Sequence, residues 1–472
     1  MKIQQSYWVR SLSYTLLEQF SAVIFGLGSV LLLLRVLPKD DFGIWALFLT
    51  VAAFIEVARN GLVQNALIKH LTSLNPDEPD FHRQYAQINT ASAVINIGLT
   101  VMSIVLLIVF AALLSALWQA PQLKTMLYIY ALSTTAMLPF SQFTFLQQAN
   151  FNFKGVFWAS FCRQGSFFVM VAAAYLLQAA TLIHIAFFHA IAAGIGAAVS
   201  CGFAIKYMQF SQNVSAVWVK QLIRYGKYVF GTNLGAMLHK SIDKFMLGSL
   251  IGTGAVAIYD LATRINNLME VPVTAAATVV FPQSTRSSAA GGQGGLKELY
   301  QKSVAAVLAL LLPAILIVLL FPSWIIWIIG GSKYADTAPL LQITVLYSLF
   351  LPFARQFGTM FDAIGKPRIN FYFVLFGTLL NILFNYFFIM RFGVMGAAYA
   401  TLLVFVITFV FNQMLLAKEL KLQTAHIFTQ IWKYYQLLWR ALAHRVMAQT
   451  TPPQPKTSSP QPKTQNHEST TI

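Results

Sequence analysis

Long apolar runs, each closed by a short cluster of charged, Pro, Gly or Asn residues, recur along most of the chain. A helix needs about 20 mostly apolar residues to cross a bilayer core. Twelve runs meet that length: 13–37, 42–66, 88–118, 125–147, 156–178, 182–206, 226–250, 255–281, 303–330, 338–361, 369–390 and 393–416. The pattern predicts an all-α, polytopic membrane protein with about 12 transmembrane helices. The longest connections, near 73–83, 208–224 and the Gly-rich 287–295, leave no room for a second soluble domain. The first run carries Glu18 and has no small-residue cleavage site, so it reads as a retained span and not as a signal peptide.

Sliding the chain by 214 residues lays Phe42–Ala58 on Val256–Pro272, so that Ile44 meets Ile258, Trp45 meets Tyr259 and Glu56-Val57 meets Glu270-Val271. Span two then falls on span eight in the same orientation. A parallel repeat of this kind is expected to give two six-helix lobes, 1–206 and 226–416, related by a pseudo-twofold axis along the membrane normal and joined by a linker at 207–225. Beyond 416, Lys418, Lys421, Lys433, Arg440 and Arg445 alternate with Ile427, Ile431, Trp432, Tyr435 and Trp439. Residues 417–449 are therefore expected to form a basic amphipathic helix on the inner leaflet, with a thirteenth span as the alternative. The Pro-, Gln- and Thr-rich stretch 450–472, with PQPKT repeated, reads as a disordered tail.

Composition agrees: 57% hydrophobic against 10% charged residues excludes a water-soluble globule. The net charge of +17 would point to nucleic acid in a soluble chain. Here its distribution matters more. With a cytoplasmic N-terminus, 22 of the 32 Lys and Arg fall in cytoplasmic segments, against Arg35, Lys39, Lys124, Lys333 and Arg391 outside. That asymmetry places both termini in the cytoplasm and leaves nucleic acid out as a partner.

Ionisable groups at membrane depth are costly and face a bundle interior or a wet cavity. In span eight, Asp260, Arg264, Asn267 and Glu270 recur at three- or four-residue intervals, which stacks them on one helical face. Span seven holds His239, Lys240, Asp243 and Lys244, span two Glu56, Arg59 and Asn60 followed by Gln64 and Asn65, and span one Glu18. One reading pairs these groups to fix helix packing: Glu56 with Arg59, Asp243 with Lys240 or Lys244, Asp260 with Arg264. The other gathers them around a central cavity, where Arg59, Lys240, Lys244 and Arg264, with Asn267, hold an anionic group and Glu18, Glu56, Asp243, Asp260 and Glu270 take up H+ or Na+. No other cofactor is expected. There is no Walker loop, Cys162 and Cys201 form no metal pair, and His184 and His189 lack the spacing for one metal on a helix face.

The sequence resembles the polysaccharide, O-antigen (Wzx-like) transporter branch of the multidrug/oligosaccharidyl-lipid/polysaccharide flippase superfamily, over most of 14–416. The stretches that carry it are RVLPKDDFGIWAL (35–47), RNGLVQNALIKH (59–70), DKFMLGSLIGTGAVAIYDLATRINNL (243–268), FPQ (281–283), DAIGKPRINF (362–371) and RFGVMGAAYAT (391–401). The resemblance implies two lobes forming a V and export of an undecaprenyl-pyrophosphate-linked oligosaccharide across the bacterial cytoplasmic membrane, with membrane lipid and polysaccharide-assembly proteins as partners. It also implies a cationic cavity, carried by Arg59, Lys240, Lys244 and Arg264, although several acids share that space here. An ion-coupled multidrug antiporter of the same superfamily is the alternative. A membrane glycan polymerase or ligase would need a large outer loop, which the sequence lacks.

Overall fold

A computed structural model describes residues 2–289, 293–364, 366–420 and 425–450. The described residues are helical almost throughout and contain no strand. The order is α1 (Lys2–Val36), α2 (Lys39–Thr72), α3 (Phe81–Leu117), α4 (Pro121–Ala149), α5 (Phe153–Leu176) and α6 (Leu182–Ala204). A 3-10 turn at Ile205–Tyr207 precedes α7 (Ala216–Leu250), α8 (Thr253–Ala289), α9 (Gln293–Leu320) and α10 (Pro322–Gly330). A second 3-10 segment, Ser332–Thr337, leads to α11 (Ala338–Tyr347), α12 (Leu351–Ala363), α13 (Pro367–Phe392), α14 (Val394–Leu420) and α15 (Ala425–Thr450).

Local chemistry sets these boundaries. The Asn152 side chain accepts from Gly155 N at 3.3 Å and the Thr181 hydroxyl from His184 N at 3.3 Å, capping α5 and α6. Gly331 (φ 76°) and Gly393 (φ 62°) end α10 and α13 in a conformation that other residues resist. Two expected spans are broken. Run 303–330 divides at Phe321 and run 338–361 at 348–350, each just before a helix with proline in its first turn, Pro322 or Pro352. Proline lacks the N–H that would continue the preceding ladder and steers the residue before it out of helical geometry.

Nine segments among the described residues are long and apolar enough to cross a membrane. Helices α4, α7 and α8 are not among them, although they are 29, 35 and 37 residues long. In α7 and α8 the reason is the set of charges read from the sequence, which lowers hydropathy where the helices meet other protein.

Helices α1 to α6 pack on one another, chiefly α4 on α6, α1 and α6 on α5, and α3 on α4. Within α7 to α15 the main pairs are α13 with α14, α7 with α13, α8 with α12 and α9 with α15. The two sets join where α2 packs along α7 and α8. Helices α2 and α8 start at Lys39 and Thr253, the same 214-residue offset that aligns their sequences. The largest apolar cluster lies at the end of the bundle carrying the α1–α2 connection and crosses between the sets, through Leu37, Phe42 and Trp45 on one side and Leu247, Tyr259, Leu261 and Tyr334 on the other.

Three expectations are corrected. The linker is shorter than 207–225, because α7 begins at Ala216. What remains of it is held against α3: Asn89 Nδ2 donates to Gln209 O at 2.9 Å and Ser211 N donates to the Thr90 hydroxyl at 2.8 Å. In the Gly-rich stretch, Gln293, Gly294 and Gly295 belong to the first turn of α9, while 291 and 292 lie outside the described residues. Helix α15, expected to bury its apolar face in a lipid surface, buries part of that face on α9. Ile427 and Ile431 are buried in the cluster built on Leu296, Tyr300, Val304 and Leu308, and Tyr435 OH donates to Ala309 O at 2.8 Å. Ala309 lies 16 residues into α9, about 24 Å along it. The apolar face of α15 thus finds protein to bury against, leaving Phe428, Trp432, Lys433, Trp439 and Arg440 exposed. The stretch expected as a tail lies, from 451 onward, outside the described residues.

Candidate functional site

Close backbone approach sets the position of α2. A Cβ on Gly226 of α7 would stand 1.9 Å from Leu62 O, and one on Gly61 of α2 would stand 3.3 Å from both Phe230 Cα and Asn233 Nδ2. Toward the other end, a Cβ on Gly43 would fall 1.8 Å from Thr253 O of α8. Glycine at these points lets two helices touch main chain to main chain and brings short polar side chains of facing helices within reach. A cavity of about 450 Å³ lies there, lined by Glu56, Asn60, Gln64 and Asn65 of α2 and Asn233 and Lys240 of α7, with Ala53, Val57, Ala236 and Met237 between them.

The cavity carboxylate Glu56 does not pair with Arg59. Its partner is Arg163 of α5, at 3.9 Å. Arg59 instead is 2% exposed, with Nη2 donating to Asn96 Oδ1 at 3.3 Å and to the Ser141 hydroxyl at 3.4 Å. It is a buried cation of the first helix set and does not line the cavity. Asn96 extends the polar cluster to Gln142, at 3.3 Å, which reaches Ser92 at 2.7 Å. Glu18 accepts from the Ser160 hydroxyl at 2.8 Å, bracing α1 against α5.

The charges of α7 and α8 form pairs across the two helices. Lys240 Nζ meets Glu270 at 2.6 Å, both partly exposed. Asp260, 1% exposed, takes Lys244 Nζ on one oxygen and Arg264 Nε on the other, each at 2.5 Å. Of the expected pairs, Asp260 with Arg264 is present and Lys244 joins it. Asp243 pairs with neither lysine. Among the described residues it accepts only neutral donors: Tyr259 OH, Asn385 Nδ2 at 2.6 Å and the Thr401 hydroxyl at 3.0 Å. Asn381 Oδ1 accepts from Asn385 Nδ2 at 2.9 Å, and among the described residues the buried Asn385 Oδ1 has no donor. His239 stands beside this group on Thr378, at 3.1 Å. Asn267 is exposed on α8.

Sequence reasoning missed Arg163, Asn233, Tyr259 and Thr401 as members of these groups. Arg163, one of the 22 cations assigned to cytoplasmic segments, lies ten residues inside α5. The others are polar residues in apolar runs, whose signal is lost until a partner helix is known. Neither histidine of α6 meets a metal-ligand group. His184 Nδ1 lies 3.0 Å from Ala179 O, and His189 is ringed by Trp45, Phe48, Tyr130 and Phe167, at centroid distances of 6.5, 5.9, 5.9 and 6.0 Å.

This all-α, multi-pass bundle of two helix sets, joined where α2 packs along α7 and α8, has the fold of the multidrug/oligosaccharidyl-lipid/polysaccharide transporters. An inward-facing MATE family multidrug resistance transporter of that superfamily superposes with a TM-score of 0.73, at 14% identity, over 87% of this chain and 99% of that one. The lipid II flippase MurJ, in an inward closed conformation, gives 0.71 at 14% identity over 92% and 93%. Within that fold the chain belongs to the polysaccharide biosynthesis protein family, which matches residues 32–339. The probable low-salt glycan biosynthesis flippase Agl15 of Haloferax volcanii is 23% identical over 229 residues, 48% of this chain and 47% of that protein. The chain thus spans about half the length of this curated relative.

Proposed function

We propose that the protein is a flippase: it carries an undecaprenyl-pyrophosphate-linked oligosaccharide across the bacterial cytoplasmic membrane by alternating access, for surface polysaccharide assembly. The observation that carries this reading is the polar cavity of about 450 Å³ between α2 and α7, at membrane depth in a chain of this family. A glycan needs a wet path through the apolar slab, and charged or amide side chains supply one. Lys240, Lys244 and Arg264 are the cations for the pyrophosphate, which would compete with Glu270 and Asp260 for them. Arg59 has no direct part in this.

Coupling to an ion is assigned to Asp243. A buried carboxylate held by neutral donors, next to the unclaimed Asn385 Oδ1, offers oxygen ligands to Na+ or a seat for a proton. Both chain termini are taken as cytoplasmic, following the charge asymmetry. The likeness to a MATE transporter supports a multidrug antiporter as the second reading. The two are separated by reconstitution. The purified protein in proteoliposomes should move fluorescent undecaprenyl-pyrophosphate-oligosaccharide between leaflets and leave cationic drugs where they are. Drug uptake without glycan movement would overturn the proposal.

A further inference from the structure

Apart from the cations assigned to the pyrophosphate, which already have carboxylate partners, the charges in and around the cavity leave none to spare for an acidic sugar. Lys240 is tied to Glu270 at 2.6 Å, Lys244 and Arg264 share Asp260, and Arg59 is buried on Asn96 and Ser141. On the wall between α2 and α7 the charged groups are one carboxylate, Glu56, and one cation, Lys240. What the wall offers in quantity is amide. Asn60, Asn65 and Asn233 line it, and among the described residues none of the three side chains has a hydrogen-bond partner. Gln64 spends its Nε2 on Gln148 at 3.0 Å.

We infer that this amide wall is a glycan subsite that selects uncharged sugars, those bearing hydroxyl and acetamido groups, over sugars bearing carboxylates. The inference rests on the flippase reading and adds to it the charge class of the cargo. A primary amide presents an acceptor oxygen and two donor hydrogens side by side, so it meets neighbouring sugar hydroxyls, each donor and acceptor, in pairs. Val57, Ala236 and Met237 lie between the amides and give the C–H faces of a sugar ring apolar contact. A uronic acid placed here would meet Glu56, whose own counter-charge is Arg163 at 3.9 Å, and would find no unpaired cation on the wall to offset its charge. The Gly61 and Gly226 contacts set the spacing, since they bring Asn233 against α2 at the level of Asn60.

The test is calorimetric titration of the full-length protein in nanodiscs with soluble oligosaccharides of equal length, chitin-derived and neutral or pectin-derived and acidic. The neutral oligosaccharide should bind, the acidic one at least tenfold more weakly. Asn60→Leu and Asn233→Leu should each weaken neutral binding by about fivefold, the loss of one net hydrogen bond of about 1 kcal/mol. Asn233→Gln, which keeps the amide, should recover part of that loss, and unchanged thermal unfolding identifies variants that fold. Equal or tighter binding of the acidic oligosaccharide would overturn the inference, as would full neutral binding by folded Leu variants. The same preparation assayed for lipid-linked glycan movement separates the two claims. Selective neutral binding without movement supports the subsite and counts against the flippase, whereas movement without selectivity does the reverse.

Discussion

Lys39 and Asp336, 297 residues apart, meet in a two-oxygen ion pair at 2.9 and 2.7 Å. The pair ties the start of α2 to the 3-10 segment before α11, and Lys333 adds a bond to Leu37 O at 2.5 Å. Tyr334, fully buried, lies between the two lysines and packs edge-on against Phe42. The two helix sets are therefore fastened at this end by polar contacts over an aromatic plug.

The ion pair is half-exposed, with side-chain exposures of 32% and 53%, so its contribution is small, about 0.5 kcal/mol. Asp336→Ala should still loosen this end. A lone cysteine at Thr253, in a background without Cys162 and Cys201, should react about twofold faster with a membrane-impermeant maleimide. Raising salt should speed labelling of the otherwise unsubstituted protein and leave the Asp336→Ala rate unchanged, because screening acts only where the pair exists.

Asp260 holds two cations, and its loss leaves both short of a counter-charge. Lys244 and Arg264 are 19% and 25% exposed, so water offsets part of the cost. Asp260→Ala should destabilise the protein by about 2 kcal/mol, below the range for a fully buried pair. Thermal unfolding in detergent measures this, and adding Lys244→Met and Arg264→Met should restore most of it.

Gly226→Ala sets a methyl group 1.9 Å from Leu62 O, a distance that forces α2 and α7 apart. Gly61→Ala meets its neighbours at 3.3 Å and asks for a shift of only a few tenths of an ångström. The first change should cost about 2 kcal/mol and the second well under 1 kcal/mol. Paired unfolding curves give the comparison, and equal losses would contradict main-chain contact at Leu62.

Asp243→Asn keeps the shape of a side chain that accepts from Tyr259, Asn385 and Thr401. If Asp243 couples transport to an ion, the variant should fold normally while glycan movement in proteoliposomes stops responding to an imposed Na+ or proton gradient. A full response would remove Asp243 from coupling.

The all-α, multi-pass character was legible, because apolar runs of membrane length have few alternative structures, whereas twelve spans were expected and nine segments among the described residues are long and apolar enough to cross a membrane. Breaks at Phe321 and 348–350 were within reach of the proline rule, but runs of high hydropathy hid them. Partner choice was legible for Asp260 with Arg264, four residues apart on one helix, and not for Glu56, Arg59 or Asp243. Glu56 and Arg59 lie three residues apart on one helix, yet the helices packed on α2 decide the outcome: α5 brings Arg163 to Glu56, and α3 and α4 bring Asn96 and Ser141 to Arg59. Spacing along a chain limits which side chains share a face. Which residue answers from across the gap is a property of the packed bundle.

The short connection before α7 carries a mechanical consequence. Gln209 and Ser211 are bonded to α3, and α7 starts at Ala216. Only 212–215 connect that anchored point to the next rigid rod, and Asn213 N donates back to the Ser211 hydroxyl at 3.3 Å. The foot of α7 is thus held to the first helix set twice, by this four-residue connection and by Leu222, buried against Val63, Leu67 and Tyr85. The same helix carries Asn233, Lys240 and Asp243, so the amide wall, the Lys240–Glu270 pair and the Asp243 group share one rod whose main-chain link to the first helix set is that short connection.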